Sequence, residues 1–118
     1  YAPIAMTDFI KKGEIKNTAI IAGILGAKKT SEIIPLCHNI NIENVDIDIS
    51  IFKEKNSFVV TSYVKCFDKT GVEMEALTGV SIACLTIYDM CKSIDKKILI
   101  KEIKLLEKSG GKSDFLSS

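Results

Sequence analysis

An α+β fold, with helices packed on one face of an antiparallel sheet, is predicted by three features of this 118-residue sequence. Residues 45–52 and 58–67 alternate apolar and polar side chains, and residues 53–57 (Lys-Glu-Lys-Asn-Ser) make the turn between them, which is the pattern of two half-buried strands. Residues 70–92 are apolar almost all round, with charge only at Glu73 and Glu75 near the start and Asp89 and Lys92 near the finish. A helix of that character has to be surrounded by protein. Residues 98–106 alternate again, around Ile98, Ile100, Ile103 and Leu105, and supply a last strand.

Each element has its own local reason. Residues 2–11 suit a short helix with Ile4, Met6, Phe9 and Ile10 as its apolar members, and Gly13 would end it. Asn17 then caps a second helix running to about Glu32, with Ile20, Ile21, Ile24 and Leu25 as its core stripe and Ile34-Pro35 as its stop. Val45, Ile47, Ile49 and Ile51 form the inward face of the first strand. Thr70 followed three residues later by Glu73 is a capping box for the long helix. A Gly-rich tail, Lys108-Ser-Gly-Gly-Lys112-Ser, closes the pattern. One further strand ahead of the visible start would complete β-α-β-β-α-β, the ferredoxin-like arrangement in a single domain over residues 1–118.

Composition narrows the function. The formal net charge is +1, which makes no strong claim on nucleic acid or membrane. All sixteen basic residues are Lys, and without Arg the usual base-edge and bidentate phosphate contacts are missing, so a nucleic-acid partner is not expected. Hydrophobic content of 47 % and mean hydropathy of +0.21 are high for so short a chain, yet no apolar run is uninterrupted over the eighteen or so residues a membrane span needs. The excess reads as subunit interface. Cys37, Cys66, Cys84 and Cys91 form no CxxC pair, and with a single His there is no metal-ligand spacing, which suits buried thiols in a reducing cytoplasm.

A few residues could carry chemistry. His38 follows Pro35-Leu36-Cys37 just beyond a helix stop, and is the one unperturbed titrator near neutrality. Lys92 lies three positions after Asp89, either as an ordinary surface pair or as a lysine and carboxylate tuned for proton transfer. Glu73 is accounted for by the cap, whereas Glu75 is not; Met74 reads as core filler. Lys108 and Lys112 flank glycines as in an anion-binding loop, although a flexible tail is the simpler reading, and Lys12 on its face is a turn lysine. Glu75 and Asp89 are fourteen residues apart, so on one helix they lie within about 40° of the same face but about 21 Å apart. One small ligand cannot span that, so a site using both ends needs a second copy of the chain.

Taken together, Lys12-Gly-Glu, Ala27-Lys-Lys-Thr-Ser-Glu32, Ile34-Pro-Leu-Cys-His38, Lys69-Thr-Gly-Val-Glu-Met-Glu-Ala-Leu77, Leu85-Thr-Ile-Tyr-Asp-Met-Cys-Lys92 and Leu105-Leu-Glu-Lys-Ser-Gly-Gly-Lys-Ser113 resemble the MoaC family. The likeness runs from about residue 4 to 113. It implies a ferredoxin-like subunit in a cytoplasmic homohexamer, a trimer of dimers, acting without metal or organic cofactor as a lyase in molybdenum cofactor biosynthesis. The reaction implied is that of a cyclic pyranopterin monophosphate synthase. It converts 3′,8-cyclo-7,8-dihydro-GTP, the product of a radical GTP cyclase, to cyclic pyranopterin monophosphate and releases pyrophosphate. By position, the resemblance assigns Asp89, Lys92 and Lys12 to catalysis. It assigns Leu36, Cys37, His38, Met74, Glu75, Lys108 and Lys112 to substrate binding. Ile20 and Lys29 stand where relatives carry Arg, and the N-terminal segment with its functional arginine is absent from the sequence. The other reading of the residues is a non-catalytic small-molecule-binding or assembly module, in which Asp89, Lys92 and Lys12 tolerate substitution.

Overall fold

A computed structural model describes residues 2–3, 9–55, 57–67, 71–93, 96–108 and 115–116. Its elements are β1 (Ala2–Pro3), α1 (Phe9–Lys28), the single turn α2 (Thr30–Ile33), β2 (Ile42–Phe52), β3 (Ser57–Cys66), α3 (Glu73–Cys91), β4 (Glu107–Lys108) and β5 (Phe115–Leu116). β3 lies between β1 and β2, antiparallel to both, and β4 pairs with β5 in a separate two-residue ribbon. The expected α+β class is what the chain adopts, with α1 and α3 packed on the sheet.

The β2–β3 hairpin follows the alternation. Val45, Ile47 and Ile49 are buried and face Val64, Ser62 and Val60 across the ladder, while Asp46 and Asp48 point outward opposite Tyr63 and Thr61. Ser57, expected in the turn, is instead the first residue of β3, opposite Phe52. Phe58 is fully buried at the closed end.

The helices differ from expectation in instructive ways. Residues 2 and 3 belong to a strand, and α1 runs unbroken from Phe9 through Gly13 and Asn17. A mid-helix glycine costs about 1 kcal/mol, which tertiary burial readily outweighs. Here that burial comes from Ile15, Ala19, Gly23 and Ala27, four apart and all inward. The expected stripe of large residues is rotated: Ile20 and Ile24 pack at the margin of the core, whereas Ile21 and Leu25 are 60 % and 51 % exposed.

Small residues win the inward face because α1 and α3 touch backbone to backbone. A methyl at Gly23 would stand 2.9 Å from the Gly79 carbonyl oxygen, and one at Gly79 would stand 3.1 Å from that of Gly23. Beyond α1, the Thr30 hydroxyl donates to the Ala27 carbonyl at 2.9 Å, and Ile34-Pro35 ends the helical run as expected.

The long helix opens at Glu73 with Val72 at its N-cap and no side-chain cap bond there; Thr70, expected as the cap, lies outside the described residues. By length and composition α3 could cross a membrane. It is instead a core helix, burying Gly79, Ala83, Cys84, Ile87 and Cys91 against α1 and β3. Two of its hydroxyls bond back to the helix, Ser81 donating to Leu77 at 2.6 Å and Thr86 to Ile82 at 2.8 Å. Residues 98–106 do not form the expected last strand: Ile98 is buried, but no ladder includes the segment.

The helix crossing generates a paired prediction. Gly23→Ala gains about 1 kcal/mol of helix propensity but forces a methyl against a backbone oxygen, so net stability should fall by about 1–2 kcal/mol. Gly13→Ala has nothing within 4 Å of the new methyl and should be stabilising by about 0.5–1 kcal/mol. Urea unfolding followed by circular dichroism separates the two; the same sign for both would refute the crossing.

Candidate functional site

The entrance of α3 gathers the first group of side chains. Glu75 is the third residue of the helix, where a carboxylate commonly reaches back to the N-cap. It is only 3 % exposed, and it accepts a bond from the Cys37 thiol at 3.7 Å across the loop that follows α2. The thiol is held above its ordinary value first by burial, then by the charge and hydrogen bond of Glu75, and finally by the charge of Glu73. The shift favours the protonated thiol, which acts as a donor here.

Lys108 reaches the same end from β4. Its ammonium lies 3.4 Å from a Glu73 oxygen, and its stem passes so close over Gly71 that a methyl there would stand 2.7 Å from Lys108 Cε. The second Glu73 oxygen is buried without a hydrogen-bond partner among the described residues. Glu73, read from the sequence as a cap, is thus the tether of Lys108. Gly71, two residues upstream, is the sequence signal of that close approach. Met74 is partly exposed beside this cluster, and Leu36 (94 % exposed) and His38 stand in solvent on the Cys37 loop.

The exit of α3 carries the second group. Lys92, the C-cap, places its ammonium 2.8 Å from Asp89. The pair is well exposed, 61 % and 71 % respectively, so it adds little to stability. Hydrogen bonding and charge from Asp89 raise the lysine above its ordinary value, and Lys92 is held as a cation.

The helix pair then fixes how these groups relate. Gly23 meets Gly79 and Ala83, and Ala27 meets Gly79, so α1 and α3 run antiparallel. The first turns of α1, which include position 12, therefore lie at the exit of α3 with Asp89 and Lys92. The end of α1 delivers α2 and the Cys37 loop to the entrance. The side chain of Lys12 and the whole of Lys112 lie outside the described residues. Within one chain the structure brings together Cys37, Glu73, Glu75 and Lys108, and separately Asp89 and Lys92. The two groups are about 21 Å apart along the helix axis.

Comparison with known proteins bears on this arrangement. The model of the MoaC family matches residues 3–111. A cyclic pyranopterin monophosphate synthase of Helicobacter hepaticus is 59 % identical over 107 residues, covering 90 % of this chain and 67 % of the relative. One from Lysinibacillus sphaericus is 56 % identical over 106 residues, covering 88 % and 66 %. Molybdenum cofactor biosynthesis protein 1 of Drosophila melanogaster is 51 % identical over 106 residues, 90 % of this chain but 19 % of the fly protein. The chain thus spans about two thirds of the bacterial relatives it matches and about a fifth of the fly protein.

The entrance cluster makes its own prediction. Glu75→Gln removes the charge that opposes Cys37 ionisation, so alkylation of Cys37 at pH 8 should quicken severalfold. Peptide mapping by mass spectrometry reads Cys37 apart from the other three thiols. An unchanged rate would show that Glu75 and Cys37 are not in contact.

Proposed function

The chain belongs to the MoaC family, and from that membership we propose that it acts as a cyclic pyranopterin monophosphate synthase in molybdenum cofactor biosynthesis. Its substrate is then a GTP-derived triphosphate, 3′,8-cyclo-7,8-dihydro-GTP, supplied by a radical GTP cyclase. The single observation that carries the reading is the segregation of candidate groups to opposite ends of the α1–α3 pair. A triphosphate-bearing nucleoside derivative can meet both groups only where the entrance of one subunit faces the exit of another. The active assembly is accordingly a homo-oligomer, and the family resemblance implies a hexamer built as a trimer of dimers, in the cytoplasm.

The residues divide the work by their chemistry. Lys108 and Lys112 supply cations for the triphosphate, with Glu73 holding Lys108 at the mouth of the site. Leu36, Cys37, His38, Met74 and Glu75 line the base-derived end, where the Cys37 thiol and the Glu75 carboxylate offer one donor and one acceptor. Lys92, kept as an ammonium by Asp89, is suited to donate a proton as the purine-derived ring opens. The matching acceptor role falls to Lys12. Closure of the cyclic phosphate requires a substrate hydroxyl to attack the α-phosphorus as pyrophosphate leaves, and the lysines neutralise the charge that builds there.

Pyrophosphate release from the cyclised GTP intermediate is the assay. Lys92→Ala should cut turnover by about 10²- to 10⁴-fold and leave the solution mass unchanged; undiminished turnover would refute the assignment. Mixing inactive Lys92→Ala and inactive Glu75→Gln chains should restore part of the activity, because some sites then take both intact halves. No recovery after subunit exchange would place each site within a single chain.

A further inference from the structure

A lysine that is to meet phosphate has its charge already engaged in this structure. The Lys108 ammonium stands 3.4 Å from Glu73 Oε1, and its side chain is 18 % exposed, whereas that of Lys92 is 61 % exposed. Charges in a partly buried pair are screened less than charges in open water, so Glu73 takes up much of what Lys108 could offer an anion. The charged groups beside the pair in sequence do not replace it. Glu75 is a second carboxylate in the same helical turn, Glu107 precedes Lys108 in β4, and the Lys104 ammonium is 3.7 Å from Glu102.

The contact is also built to open. At 3.4 Å it is longer than the 2.8 Å between Lys92 and Asp89, and a strong charge-assisted bond spans about 2.7–2.9 Å. One carboxylate oxygen makes it, since Glu73 Oε2 is buried without a hydrogen-bond partner among the described residues. Both ends of the pair close over Gly71, where a methyl would stand 2.7 Å from Glu73 Oε2 and 2.7 Å from Lys108 Cε. These atoms are the tips of flexible side chains, so the pair can part while both backbones stay in place. A terminal phosphate carries about 1.5–2 negative charges near neutrality against the single charge of a carboxylate, so phosphate can draw the ammonium away.

We propose that Glu73 is an internal competitor for Lys108, holding the ammonium in the ligand-free chain and yielding it to a phosphate oxygen when a polyanion arrives. This rests on the assignment of Lys108 to the phosphate end of the site. Glu73 acts through Lys108 and touches no reacting atom, so it is a positioning residue. Its consequence is kinetic as well as static. While a polyanion is bound, the released carboxylate waits beside the lysine, and the pair re-forms as pyrophosphate departs. Glu73 therefore weakens the hold of the site on pyrophosphate and speeds its release, and Gly71 leaves the room in which the exchange takes place.

Inorganic pyrophosphate is the probe, with its affinity for the full chain read by titration calorimetry at one fixed ionic strength. Glu73→Gln keeps the side-chain shape and removes the competing charge, so it should bind pyrophosphate about three- to tenfold more tightly than the unaltered chain. A gain is an outcome that damage to the fold does not produce. Lys108→Ala should weaken binding, and in that background Glu73→Gln should change affinity by less than about twofold, because the competitor has lost its target. Unchanged or weaker binding by Glu73→Gln overturns the proposal. So does a full gain that persists without Lys108, which would mean that Glu73 acts on the anion by charge alone. Lys108→Ala with undiminished affinity would instead sink the assignment of Lys108 to the phosphate end, and the competition with it.

Discussion

The contact between Gly23 and Gly79 sets the geometry on which the rest of the molecule depends. Two helices ordinarily pack with their axes 8–10 Å apart because side chains intervene. Here a carbonyl oxygen of each helix lies about 3 Å from where the other's Cβ would be, and Ala27 and Ala83 fill the flanks of the crossing. Backbone oxygens cannot rotate away as side chains can, so angle and register are fixed together. That fixity turns two short sequence motifs, one at each end of α3, into groups with a known separation and a known facing.

Charge is disposed to match. At the entrance, Glu73 and Glu75 both sit in the first turn of α3, where the exposed N–H groups favour negative charge. Each then does something other than cap the helix: Glu73 holds Lys108, and Glu75 receives the Cys37 thiol. At the exit, where cations are favoured, Lys92 sits at the C-cap with Asp89 one turn behind. The helix field thus favours negative charge at one end and positive charge at the other.

Much of this was legible in the sequence, and the remainder fails for identifiable reasons. The hairpin was readable because alternation in β2 and β3 reports burial directly. The pairing of Asp89 with Lys92 was readable because three residues on a helix bring two long side chains together. Gly13 misled because local propensity yields to the burial of Ile15, Ala19 and Ala27. The α1 stripe departs from expectation for a related reason: large residues ordinarily mark an inward face, whereas a backbone contact selects the smallest residues and turns Ile21 and Leu25 outward. The role of Glu73 was not readable because its carboxylate is engaged by a lysine thirty-five residues later, a pairing no local pattern contains. The alternation of residues 98–106 is genuine, but alternation marks a chain suited to a sheet and does not supply the neighbour.

The surplus of apolar surface is the last step. Ile21 and Leu25 of α1 and Leu85 and Tyr88 of α3 are exposed although each helix already buries a full face inward. A solitary subunit gains nothing by displaying them, since every large apolar side chain left in water forgoes the transfer free energy that burial would give, about 1.5–3 kcal/mol each. Association of helix pairs offers that burial, and it offers it on the same two helices whose ends carry the polar groups. In the proposed assembly, apolar flanks on the rigid pair would supply the adhesion and the polar ends would be left to meet the ligand.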